Sequence, residues 1–325
     1  ARSGHARATC VKVPPMRILV TGGAGFIGSN LADRLVALGH DVAVLDDLST
    51  GRRENLPQVA RFFEADIRDA AAVEAAVASF RPEIVSHHAA QIDVRRSVRE
   101  PALDAHTNVL GGIALFEACV RHGVRKVIYA STGGALYGEG RTLPATEEHP
   151  IHPESPYGIS KYALEHYLHF YRLVHGLDST VLRYPNVFGP RQSPHGEAGV
   201  NAIFIGLMLE GKRPTIFGDG EQLRDYVYVD DVVRANELAL GAGSGETVNI
   251  GWGRGISVND IVRTLRKLLA FEDEPIYADA RPGEIQRIYL DAARARRVLG
   301  WEPQVSFEEG LGRTVAWHRT AAATS

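Results

Sequence analysis

A tyrosine and a lysine four residues apart, Tyr157 and Lys161 in Ser155-Pro156-Tyr157-Gly158-Ile159-Ser160-Lys161, share one face at the start of a helix. A phenol ionises near pH 10, so it is a poor base at neutral pH unless an adjacent ammonium and any further positive charge at the site favour its phenolate. Tyr157 could then take up or return a proton. Pairs at this spacing also arise by chance in many helices. The use of lysine in this chain sharpens the pairing: of 36 basic residues, 31 are Arg and 5 are Lys, so an ammonium at 161 points to a need for a compact charge and not a planar fork.

A second stretch that could do chemistry is Thr21-Gly22-Gly23-Ala24-Gly25-Phe26-Ile27-Gly28, whose glycines follow the spacing Gly22-x-x-Gly25-x-x-Gly28. Glycine permits the tight turn, the approach of backbone to a pyrophosphate and close packing of helix on strand. The helix N-terminus adds free N–H donors and a positive dipole. A diphosphate is the natural occupant. Taken alone, such a turn can also merely join packed elements, but here a strand precedes it, a helix follows, and Asp46 ends the next strand at the distance where a carboxylate accepts from ribose hydroxyls and repels a 2′-phosphate. NAD is favoured over NADP. Arg52 and Arg53 nearby leave NADP as the minority option.

The elements that position these residues alternate. Arg17 to Val20 reads as a strand, Phe26 to Leu38 as a helix stopped by Gly39, and Val42 to Leu45 as a strand. Strand Arg61 to Glu64, helix Asp69 to Phe80, strand Glu83 to Ser86, helix Ala102 to His122 and strand Val124 to Ala130 follow, then a helix from Pro156 to before Gly176 and strand Ser179 to Arg183. This alternation predicts an α/β fold, a doubly wound parallel sheet of Rossmann type with helices on both faces. After Tyr184 the texture changes: Pro185, Gly189, Pro190, Pro194, Gly196 and Gly199 crowd one stretch, and elements shorten. The reading is a cofactor domain over residues 16–184 with a return segment at 226–250. A smaller, partly interleaved α/β substrate domain takes 185–225 and 251–325, and Phe307 to His318 forms its last helix. Residues 1–15 are basic and Ala/Ser-rich and read as a disordered leader, vector remnant or upstream translation, with Met16 as the natural start.

With 45% hydrophobic and 23% charged residues among 325, the chain has ordinary globular composition. A net charge of -3 provides no field to gather nucleic acid or an anionic membrane. Cys10 and Cys119 are too few for a disulfide framework, and no apolar run approaches bilayer length, so a cytoplasmic protein is expected. No metal is expected either. The adjacent His87 and His88 point to opposite faces of a strand, and no Cys or Asp/Glu cluster completes a ligand set.

The glycine turn, Asp46 and the Tyr157-x-x-x-Lys161 pair resemble an extended short-chain dehydrogenase/reductase. The runs HHAAQIDVRRSV, AHTNVLGG, ASTGGALYGE, SPYGISKYALE, LRYPNVFGPRQSPHGEAGV, FGDGEQLRDYVYVDDVVRA and RPGEIQRIYLD resemble bacterial UDP-glucose (UDP-galactose) 4-epimerases over nearly all of Met16 to His318. The resemblance implies a catalytic set of Thr132, Tyr157 and Lys161, with the Thr132 hydroxyl holding the sugar oxygen. It implies NAD held by Gly22, Gly25, Phe26, Ile27, Gly28, Asp46, Asp47, Leu48, Ser49 and Gly51, by Asp66 and Ile67 beside the adenine, and by His88, Ala89, Ala90, Gln91, Asn108, Tyr157, Lys161 and Tyr184. For a UDP-sugar substrate it implies Thr132, Asn186 and Ile288, with Arg224 and Arg281 as charge partners of the diphosphate and Asp225 or Glu284 near the ribose.

The implied reaction is transient oxidation at sugar C4 and return of hydride to the opposite face, in a homodimer paired through the helices at 102–122 and 156–176. A 4,6-dehydratase is disfavoured because Gly133 and Gly134 stand where that family carries Asp-Glu. A UDP-glucuronate 4-epimerase or decarboxylase, or another NAD-dependent nucleotide-sugar epimerase, is the alternative, and a non-catalytic NAD-binding scaffold stands behind both. Ile288, where relatives that accept N-acetylated sugars carry a small residue, predicts preference for the plain hexoses. Pro185 replaces the aromatic or Ala of many relatives.

Overall fold

Short β-branched and aliphatic runs fold as a parallel sheet whose two faces are both covered. In the computed structural model, which describes residues 14–194, 199–281 and 285–324, the first half runs β1 (Arg17–Thr21), α1 (Phe26–Ala37), β2 (Asp41–Asp46), β3 (Arg61–Glu64), α2 (Ala70–Phe80) and β4 (Ile84–His87). There follow α3 (Val94–Arg99), α4 (Pro101–Ala105), a π-helical segment (His106–Leu110), α5 (Gly111–Arg121), β5 (Lys126–Thr132), α6 (Pro156–His175) and β6 (Asp178–Tyr184).

Successive side chains leave a strand on opposite faces, and the core divides accordingly. Ile18 and Val20 join one buried cluster with Val42, Val44 and Ile128, while Leu19 joins the other with Leu45, Val85 and Val127. Helices follow local signals. Asp69 caps α2 by accepting from the N–H groups of Ala71 and Ala72, Ser155 caps α6 ahead of Pro156, and Gly176 ends α6 at φ 69°.

The remainder is β7 (Asn186–Phe188), α7 (Val200–Leu209), β8 (Thr215–Phe217), β9 (Leu223–Arg224), β10 (Tyr226–Tyr228), α8 (Val229–Ala239), β11 (Glu246–Asn249), β12 (Ile256–Ser257), α9 (Val258–Leu269), β13 (Ile276–Ala278), β14 (Arg287–Ile288), α10 (Ala293–Leu299) and α11 (Phe307–Thr324). β11 returns to the main sheet, whose order is β11-β6-β5-β4-β1-β2-β3, all parallel. The order reverses between β1 and β4, the crevice where open α/β sheets bind ligands outside the carboxyl ends of their strands. Small sheets β7–β10, β12–β9–β14 and β8–β13 carry the rest.

The helix expected over Ala102 to His122 forms without interruption, but its middle is widened into the π-helical segment between α4 and α5. The widening has a tertiary cause. Asn108 is 3% exposed and its side chain bonds inward to Gln91 and Ser160, while Gly111 packs so closely on Ile67 that an added Cβ would lie 3.0 Å from the Ile67 carbonyl oxygen. Widened turns of this kind recur at functional sites. Helix α3, capped by the Asp93 side chain, was not expected from the sequence.

Candidate active site

The glycine turn closes over the ends of β1 and β4. Gly22 adopts φ 67°, and a Cβ there would lie 2.6 Å from the Ala89 nitrogen; a Cβ on Gly28 would lie 2.3 Å from the Gly22 carbonyl oxygen. Backbone fills both places, so neither tolerates a side chain. Helix α1 begins at once and has no side-chain cap, leaving its first N–H groups pointing out of the turn. Asp46, 7% exposed, accepts from the N–H groups of Ala24 (3.0 Å) and Leu48 (2.9 Å) and so draws the loop after β2 against the turn. Leu48 takes the left-handed φ of 58°, Ser49 bonds Asp47, and Gly51 sits where a Cβ would lie 2.8 Å from Asp46 Oδ1. Arg52 and Arg53 pair with Glu54 and Glu64 at the surface. Asp66 pairs with Arg68, and Ile67 is buried beside it. A cradle that excludes Cβ atoms, an uncapped helix N-terminus and a carboxylate at the end of β2 fit a dinucleotide diphosphate and its ribose.

Thr132 ends β5, in register with Tyr184 of β6. Its hydroxyl accepts from Ala135 N (3.2 Å) and lies toward Tyr157, whose ionisation it favours. Although part of Tyr157 is exposed, its hydroxyl lies deep. Burial, helped by the charge of Asp104, pushes this phenol up to about 12, against the lowering effect of Thr132. Lys161, one turn later and 4% exposed, donates to the Ala130 carbonyl (2.8 Å) and lies 5.0 Å from the centre of the Tyr129 ring. Burial holds its ammonium down to about 8, with Asp104 and Glu165 working the other way. His88 stacks on Tyr184 and bonds Ser86, and burial lowers it to about 3, so it is neutral. The three residues of the expected catalytic set are thus together, at the carboxyl ends of the strands, where the glycine turn also lies.

Beyond Thr132 a small pocket is lined by Gly134, Pro185, Asn186, Arg224, Asp225, Ile288 and Leu290. Asn186 opens β7, which pairs with β10 and so stands near Arg224. Arg224 donates to the carbonyls of Leu223 and Ile285. Arg281 is stacked on Phe217, 3.7 Å from its ring centre, and does not line that pocket. Glu284 lies outside the described residues. Asp225, also on the pocket wall, has its carboxylate engaged by backbone. It is 1% exposed and accepts from the backbone N–H groups of Trp252, Gly253 and Leu290, which binds three segments together. Among the described residues no group of three His, Cys, Asp or Glu is placed to hold a metal, and no helix is long and apolar enough to cross a membrane.

Sequence reasoning missed two buried groups behind the catalytic helix. Asp104, 1% exposed, accepts from Ser160 (2.7 Å), Gln91 (2.9 Å) and Asn108 (3.1 Å). Glu165 takes a two-pronged bond from Arg183 (2.6 and 3.0 Å) and one from Ser131. The i,i+4 spacing of Lys161 and Glu165 hinted at the second; nothing local marks Asp104.

The NAD-dependent epimerase/dehydratase family matches residues 18–251. A UDP-glucose 4-epimerase of Mycolicibacterium smegmatis is 48% identical over 310 residues, covering 94% of this chain and 99% of the relative. A crystal structure of a Thermotoga maritima UDP-glucose 4-epimerase with UDP-glucose is similar at TM-score 0.93 and 52% identity, over 94% of this chain and 100% of that one. A Thermus thermophilus UDP-glucose 4-epimerase in complex with NAD matches at TM-score 0.90 and 46% identity, with 94% and 100% coverage.

Proposed function

The chain belongs to the NAD-dependent epimerase/dehydratase family, and we propose that it interconverts UDP-glucose and UDP-galactose by inverting C4 of the sugar. The observation that carries this reading is Tyr157, beside Thr132 and one helical turn from Lys161, at the carboxyl ends of the strands, where the glycine cradle also lies. The enzyme is an NAD-dependent isomerase. Bound NAD supplies a hydride acceptor for C4 and afterwards the donor that restores it to the opposite face of the 4-keto sugar.

The chain's own residues supply the rest. Gly22, Gly25 and Gly28 with the first N–H groups of α1 would hold the diphosphate, and Asp46 the adenosine ribose. Tyr157 takes the proton of the C4 hydroxyl and later returns it, while Thr132 holds that oxygen. At about 12 the phenol alone is far too weak a base. The Lys161 ammonium, assisted by the positive charge of the oxidised cofactor, supplies the field that favours phenolate during turnover. Asn186 and Arg224 hold the nucleotide diphosphate, with Arg281 joining them only by leaving its stack on Phe217, so the sugar can turn between the two half-reactions without leaving the protein. In this reading the NAD-binding half takes residues 16–184 and 226–250, and the UDP-sugar half 185–225 and 251–325.

A homodimer completes the reading. Ile159, Tyr167, Phe170, Leu173 and Val174 form an exposed apolar stripe along α6, and Ile92, Val98 and Leu110 are exposed on the segments leading into α5. Apolar faces of this kind suit burial against a second copy. A cytoplasmic setting accords with this chemistry.

Incubating the purified protein with UDP-galactose and separating the products tests the activity. UDP-glucose is expected, and its absence refutes the reading. UDP-glucuronate in parallel distinguishes the uronate epimerases. Ile288, 2% exposed against Tyr137 and Leu290, leaves little room for an acetamido group. Equal rates on plain and N-acetylated hexoses would overturn that preference.

A further inference from the structure

Asp104 occupies a position that the proton chemistry does not use. It sits on α4, is 1% exposed, and its carboxylate meets three donors, all neutral: Oδ2 accepts from Ser160 Oγ at 2.7 Å, and Oδ1 from Gln91 Nε2 at 2.9 Å and Asn108 Nδ2 at 3.1 Å. These donors come from three separate stretches. Gln91 belongs to the loop after β4, which packs on the glycine turn through Ala89; Asn108 belongs to the π-helical segment; Ser160 lies on α6 between Tyr157 and Lys161. Asn108 closes the network by accepting from Gln91 N (2.8 Å) and donating to Ser160 Oγ (3.2 Å). Burying a carboxylate is costly, and an amide or a second serine could have crosslinked the same elements more cheaply. A carboxylate kept here has two acceptor oxygens to hold all three donors at once, and a charge that Lys161 and Tyr157 both feel.

We propose that Asp104 is a positioning residue of the epimerase, fixing the loop that faces the cofactor against the Tyr157–Lys161 face of α6 and setting the charge balance behind that face. The proposal rests on the epimerase reading. The groups around the pair are few: Glu165 on the same helix, neutralised by Arg183 of β6; Tyr129 of β5; and His87, which ends β4, with His88 just after it, both held neutral by burial. Asp104 is therefore the carboxylate whose charge faces the pair without an arginine bonded to it. That charge favours the Lys161 ammonium and opposes the Tyr157 phenolate.

Asp104→Ala and Asp104→Asn separate position from charge. Asparagine can hold Gln91 and Asn108 on its oxygen and donate to Ser160 Oγ, whose hydroxyl can turn to the Tyr157 carbonyl, 3.1 Å away. The measurements are NAD released per chain on denaturation, kcat and KM for UDP-galactose, and the pH profile of kcat. The alanine variant is expected to lose most of its bound NAD and to lower kcat by about a hundredfold, with KM little changed because the nucleotide is held elsewhere. The asparagine variant is expected to regain NAD and to move both limbs of the profile toward acid pH, since both Tyr157 and Lys161 lose a raising influence. Wild-type NAD content and kcat in the alanine variant, or an unmoved profile in the asparagine variant, would overturn the proposal. Wild-type protein that fails to epimerise refutes the epimerase reading instead; NAD content still reports on Asp104.

Discussion

Replacing Lys161 by Met should make the protein more stable and nearly inactive. Burial holds the Lys161 ammonium down to about 8 against an ordinary value of 10.5. Each tenfold loss of proton affinity corresponds to about 1.4 kcal/mol, so keeping the charge in the folded state at pH 7 costs about 3 kcal/mol. Methionine matches the stem in length and fills the site without a charge. Against that gain stands the lost bond to the Ala130 carbonyl, worth about 1 kcal/mol. The net is a stabilisation of about 1–2 kcal/mol, or a rise in Tm of roughly 2–5 °C for a domain of this size.

The sign has a pH signature. Unfolded chains keep the lysine proton to about 10.5, whereas the folded protein releases it from about 8. Wild type is therefore penalised in full below pH 8 and recovers between pH 8 and 10.5, so the advantage of the variant should vanish across that window. Without the ammonium the phenol loses a positive charge one helical turn away, and kcat should fall about 10²- to 10⁴-fold. Thermal melts at matched nucleotide content from pH 6 to 10.5, with conversion of UDP-galactose at pH 7.5, test both parts. A lower Tm at pH 7 that does not change with pH would refute the burial argument. A kcat within threefold of wild type would refute the role of the ammonium.

Tyr157→Phe removes the hydroxyl that meets Thr132 and should lower kcat about 10²- to 10⁴-fold while UDP-galactose still binds, as read by titration calorimetry; full turnover would sink the proton-transfer role. Gly28→Ala would place a Cβ 2.3 Å from a fixed carbonyl oxygen, so α1 must move back by about 1 Å. Overpacking of that kind costs about 1–3 kcal/mol or more, and the variant should purify with little NAD; normal NAD content would show that the turn does not hold the diphosphate. Leu173→Glu, at a site 70% exposed on the α6 stripe, should yield single chains in sedimentation velocity with the active site intact, and an unchanged dimer would place the contact elsewhere. Heat-denatured wild type should release about one NAD per chain if the cradle holds it as a resident group; a strict requirement for added NAD would contradict this.

Features whose parts are close in the chain are legible in the residues alone. A strand, three spaced glycines, a helix and an acid at the end of the next strand are one local unit, and Tyr157 and Lys161 share a face because a helix repeats every 3.6 residues. Alternation of apolar strands and helices likewise required a parallel sheet, because strands linked by helices are covered on both faces. What lies between distant segments emerges with tertiary structure. A regular α-helix was the natural expectation for Ala102 to His122, yet the inward bonds of Asn108 and the seat of Gly111 on Ile67 widen it into a π-helical turn. Asp225 reaches the pocket wall held by backbone N–H groups of Trp252, Gly253 and Leu290, partners that only the folded chain brings to it. Asp104 bonds Ser160 across 56 positions of chain, and no periodicity or spacing carries information over that distance. A buried carboxylate is chosen by the donors that the fold brings to it, and those donors are neighbours only once the sheet has formed.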